Sequence, residues 1–62
     1  GDELSHLKAV YMLGESYAKL GKLKEAIKTF ETISKNYQKH YLRDSARRRI
    51  QKLTEMLSIR KG

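Results

Sequence analysis

The sequence predicts an all-α chain, and three observations carry that expectation. Proline is absent, and the four glycines stand at positions 1, 14, 21 and 62, so few breakers interrupt the interior. Apolar residues recur at steps of three and four over long windows. The β-branched residues are scattered and nowhere alternate over a strand-length window. The length of 62 residues fits one small domain. A chain of this size buries only about 60% of the surface its unfolded form exposes, so its core is marginal.

The first helix is expected from about residue 2–4 to 20. Asp2 can cap it, and Glu3 suits the positive end of its dipole. Its apolar line is Leu4, Leu7, Val10 or Tyr11, Leu13 or Gly14, and Tyr17. Gly21 stops it, because glycine takes the left-handed conformation at low cost. The second helix is expected over about 22–37, with Leu23, Ala26, Ile27, Phe30, Ile33 and Tyr37 on one stripe. So short a connection makes these two helices an antiparallel hairpin. Residues 36–40 have no apolar period and read as a break. The third helix is expected from 41 or 42 to 59, with a narrow buried seam of Leu42, Ala46, Ile50, Leu53 and Leu57.

Gly14 costs about 1 kcal/mol relative to alanine inside a helix, so something should compensate. The physical expectation is close approach of the first two helices. Ala26 would be the small surface opposite, with Tyr17 and Phe30 interlocking around the contact.

Charge is unevenly placed. The net charge is +7; residues 1–40 balance to +2 and residues 41–62 to +5. The run "RDSARRR" concentrates it, with Arg43, Arg47 and either Arg48 or Lys52 expected near one another. That leaves two readings open. One is an anion site for nucleic acid or an acidic partner; the other is the solvated face of a closing helix.

Catalytic chemistry finds no foothold. The chain has no cysteine, and His6 and His40 lie on different segments without ligand-spaced neighbours. Glu15, Glu25, Glu31 and Glu55 lie on helices, and none is embedded in an apolar pattern of the kind general acid/base chemistry uses. Neither a nucleophile elbow nor a phosphate-cradling glycine loop is present. The expectation is a non-enzyme without cofactor or metal. No apolar run approaches the roughly 18 residues of a membrane span.

The segment "LGESYAKLGKLKEAIKTF" resembles the tetratricopeptide repeat, a helix-turn-helix unit of 34 residues. Leu13 and Gly14 sit at its Leu-Gly pair, Tyr17 at its aromatic and Gly21 at its turn glycine. Ala26 falls within its Glu-Ala-Ile, and Phe30 on its second-helix aromatic. Val10 stands where the motif often has Trp, Ile33 where alanine is usual, and Gln38 where a proline closes the unit. Without that proline the second helix has room to run on. One repeat of about 7–40 and a capping helix of about 41–59 would together fill a single domain, 1–62. The junction "NYQKHYLRDSARRRI" is similar to tetratricopeptide proteins of the bacterial envelope, such as outer-membrane lipoproteins and the Tol-Pal-associated coordinator. Periplasm and cytoplasm both remain open.

The resemblance implies protein-protein interaction or assembly, as the C-terminal part of a longer array. A peptide or partner protein, acidic if the basic residues contact it, would lie in the hollow of the first helices. Its lining would be Lys8, Tyr11, Met12, Glu15 and Lys19, joined by Arg48, Arg49 and Lys52. Tyr11 and Met12 either touch that partner or pack under the third helix. Repeats of this kind usually need about three units for stability. Self-association through exchange of the third helix is therefore a further reading.

Overall fold

A computed structural model describes residues 3–37 and 40–61 of the chain. It contains α1 (Glu3–Lys19), α2 (Leu23–Asn36) and α3 (Leu42–Lys61), and no strand among the described residues. The Cα atoms extend 43 × 20 × 12 Å, an elongated body. Helix α2 packs against both α1 and α3.

The core is the meeting of the expected stripes. Leu7 of α1, Leu23, Ala26, Phe30 and Ile33 of α2, and Ala46 and Leu53 of α3 are buried together. Val10, Tyr11, Tyr17, Ile27, Tyr37, Leu42, Ile50 and Leu57 pack around them. The seam expected on α3 is therefore the face that meets its neighbours. On α1 the sequence left a choice between Leu13 and Gly14. Gly14 is buried, and Leu13 is 48% exposed.

The close approach at Gly14 is real, and Phe30, expected around the contact, is its nearest neighbour. A Cβ built there would lie 2.8 Å from the ring tip of Phe30 and 3.0 Å from the two flanking ring carbons. The aromatic ring of α2 points end-on into the space glycine leaves. Ala26, expected opposite, is fully buried within the same core. The arrangement is thus large side chain against bare backbone, which uses the missing side chain more completely than two small residues would.

The end of α1 is set by a pair of backbone bonds and one glycine. Gly21 has φ 80°, the left-handed conformation. The Lys22 N–H donates to the Tyr17 carbonyl at 2.9 Å, and the Gly21 N–H to the Ala18 carbonyl at 3.1 Å. This pair of bonds is the Schellman motif, which satisfies carbonyls the helix end would otherwise leave open. Gly21→Ala should cost about 1–2 kcal/mol through left-handed strain alone. The midpoint of urea unfolding will report it, and an unchanged midpoint would show that the turn relaxes.

The second connection leaves α2 at Tyr37. Helix α2 stops at Asn36 instead of running on, because Tyr37 leaves helical geometry at φ −130°, ψ 54°. Its N–H still bonds the Ile33 carbonyl at 3.0 Å. Asp2, the expected cap of α1, and Gln38, in the place of the closing proline, lie outside the described residues. His40 opens α3. Its Nδ1 accepts the Leu42 N–H at 3.1 Å, the service an N-cap side chain renders, and its ring stacks on Tyr41 at 4.4 Å.

Candidate protein-interaction groove

Two side-chain rungs join α1 to α3. The Tyr11 hydroxyl and Ser45 Oγ lie 2.7 Å apart, and Arg49 donates to Glu15 Oε2 at 2.8 Å. The partners are 34 residues apart in both rungs. An equal step along both helices means that α1 and α3 run parallel and in register. Tyr11 also presents its ring to Phe30, edge to face, at 5.2 Å and 72°. Of the two roles open to Tyr11, packing is therefore fulfilled. Met12 instead faces outward, 66% exposed.

Arg49 is held to α1 by Glu15. Its guanidinium is raised above its ordinary value, first by hydrogen bonding to the Tyr11 side chain. Partial burial pulls the other way, and the charges of Tyr11 and Glu15 add to the rise. Arginine stays protonated in proteins, so the consequence is positional. The ion pair itself is open to water, with 49% of the Arg49 side chain and 36% of the Glu15 side chain exposed. Such a pair is worth roughly 0.2–1 kcal/mol, so it orients the groove more than it stabilises the fold.

Depressions lie at both ends of the rungs. One, of about 220 Å³, is lined by Lys8, Tyr11, Met12, Tyr41 and Leu42. The other, of about 280 Å³, has Ala18, Phe30 and Leu53 among its lining, with Met56 and the charged Glu15, Lys19, Arg49 and Lys52. Both fall below the roughly 300–1,000 Å³ of small-molecule sites. A third depression of about 250 Å³ lies between α2 and α3, lined by Glu31, Ser34, Lys35, Arg47 and Ile50. Ile50 is its one large apolar residue, which leaves a partner little to bury against.

Of the residues expected to line the hollow, Lys8, Tyr11, Met12, Glu15, Lys19, Arg49 and Lys52 lie along this α1–α3 face. Arg48 is exposed and lines none of these depressions. The three consecutive arginines of "RDSARRR" face different ways, while Arg43 and Arg47, one turn apart, keep to one side of α3. Arg43 pairs with Asp44 at 3.3 Å, Arg47 borders the α2 side and Arg49 turns to α1. Consecutive helical residues are about 100° apart, so a run of three cannot share one face. Sequence reasoning missed Ser45, Tyr41 and Met56 as members of the groove. The available signal was the unit length itself: a shift of 34 residues from Tyr11 and Glu15 lands on Ser45 and Arg49.

Residues 8–40 match the family Tetratricopeptide repeat. The chain belongs to the tetratricopeptide repeat family. The match covers most of α1, all of α2 and the connection to His40, while α3 follows it. Tetratricopeptide repeats generally mediate protein-protein interaction, and the family is a non-catalytic interaction module. The spacing of the two rungs equals the repeat length of that family. Helix α3 thus stands where the first helix of a following tetratricopeptide unit would stand. No curated protein and no solved structure matches the chain. Among the described residues, no group of three or more His, Cys, Asp or Glu could hold a metal ion, and no helix is long and apolar enough to cross a membrane.

Proposed function

We propose that this tetratricopeptide module binds a partner protein along the α1–α3 face. The observation that carries the proposal is the pairing of apolar hollows with a basic rim. Tyr11, Met12 and Leu42 line one end; at the other, Ala18 and Met56 give the accessible apolar surface above the buried Phe30 and Leu53. Lys8, Lys19, Arg49 and Lys52 stand along the same face, against Glu15 as the acid. An acidic segment with apolar side chains fits both features. Rim charges of this kind raise association rates and select partners by sign.

Nucleic acid fits less well, because Arg47 borders α2 while Arg49 turns to Glu15 of α1, which breaks a phosphate-tracking stripe along α3. The likeness of the α2–α3 junction to bacterial envelope proteins supports a bacterial source. The partner would then belong to the same cell.

Panning a random peptide library on the purified chain tests the proposal. Selected peptides should be acidic overall. They should lose about tenfold in affinity against a Lys19→Glu/Lys52→Glu variant, a change of ~1.4 kcal/mol. Equal binding to both proteins would place the interaction surface elsewhere.

A further inference from the structure

The groove has an internal register, and that register specifies a peptide pattern. Its two ends are hollows separated by the Tyr11–Ser45 and Glu15–Arg49 rungs. Along α1 their centres fall near Tyr11 and Ala18, about 10 Å apart at 1.5 Å per residue. Along α3 they fall near Leu42 and Leu53, about 16 Å apart by the same rise. A span near 13 Å is what four residues of extended chain cover at about 3.3 Å each.

Helical and extended ligands can be told apart here. The rungs close the floor between the hollows with direct contacts of 2.7 and 2.8 Å. A helix is about 10–12 Å across with its side chains and would ride above them. An extended strand sends alternate side chains to one face. Residues i and i+4 then reach the two hollows, and i+2 points down onto the rungs between them.

What i+2 meets is Arg49. The guanidinium carries five N–H donors, and its bond to Glu15 is solvent-exposed. A carboxylate arriving from above competes on equal terms with Glu15, an acid that the chain itself supplies. We propose that the α1–α3 groove selects extended segments of the pattern apolar–x–acid–x–apolar, and that the partner's acid takes Arg49 from Glu15. Glu15 is then a specificity residue: while unbound, it holds Arg49 in place and screens it from weaker anions. This inference rests on the α1–α3 face being the binding face.

Fluorescence anisotropy with three labelled dodecamers tests it. The first has Leu-Ser-Glu-Ser-Leu at its centre, the second Gln in place of Glu, and the third lacks one residue between the leucines. The first should bind tightest, and the shortened one about tenfold more weakly, because one anchor then faces away. Glu15→Gln should strengthen binding of the first peptide on the order of three- to fivefold, as expected for freeing one exposed ion-pair partner, and leave the second unchanged. Met12→Ser and Met56→Ser, both at exposed positions, should weaken the first. If these two variants weaken binding but spacing and Glu15→Gln have no effect, the register is wrong and the groove stands. If no peptide binds, or binding ignores both methionines, the groove and the register fail together.

Discussion

Phe30→Ala is expected to leave the chain largely unfolded at room temperature. Phe30 is the largest fully buried side chain, with no exposed area, and it is the centre of the three-helix contact. Its ring fills the space beside Gly14 and supports the ring of Tyr11. Truncating a buried phenylalanine to alanine costs about 3–5 kcal/mol, from lost transfer energy and the cavity left behind. At roughly 0.05–0.15 kcal/mol per residue, a chain of this size has about 3–9 kcal/mol in total. The loss is thus comparable to the whole stability. Far-UV circular dichroism and a thermal melt will show it. A cooperative transition with an unchanged midpoint would mean that the aromatic ring does not hold the helices together. Phe30→Leu keeps most of the volume and should retain a transition at lower temperature.

The second large effect is expected at Gly14. Gly14→Leu should destabilise by about 3 kcal/mol or more, the upper range for overpacked cores. A first added carbon already falls 2.8 Å from the Phe30 ring tip, and leucine brings three more beyond it. The ring cannot retreat freely, since it is buried and stands edge to face against Tyr11. Moving Tyr11 would also disturb its hydroxyl contact with Ser45. Gly14→Ala separates two opposed terms. Alanine gains about 1 kcal/mol of helix propensity, which offsets part of the clash of its single carbon. The net change should be small, whereas leucine has no comparable gain. Urea denaturation of the pair will decide. Equal midpoints for Gly14→Leu and the parent would show that α1 and α2 can separate without loss.

The difference between these residues also shows what the sequence could convey. Period and breakers made the three helices legible, because Leu23, Ala26, Phe30 and Ile33 repeat at helical spacing and Gly21 marks a left-handed stop. The need for contact at Gly14 was legible too, as a cost requiring compensation. Which residue would face the glycine was not, because small-against-small and ring-against-backbone both satisfy the same spacing. The choice between Leu13 and Gly14 was hidden for a related reason: adjacent residues differ by about 100° around the helix, and either fits an apolar line. The groove was half legible. Residues on α1 could be placed by family resemblance, whereas their α3 partners depend on register between helices that share no apolar alignment. Matching Ala9 to Ala46 gives an offset of 37, whereas the polar rungs sit at 34. His40 looked idle because its ring bonds a backbone N–H, a use that leaves no side-chain pattern.

The placement of α2 between α1 and α3 has a kinetic consequence. Its packing partners are the two helices adjacent to it in the chain, so the core forms through short loop closures. Chains wired this way fold in microseconds to milliseconds, since little entropy is lost before contacts begin to accumulate. Detaching α3 would expose the side of α2 that Ala46 and Leu53 cover, and the Gly21 turn, made within residues 17–22, does not depend on that contact.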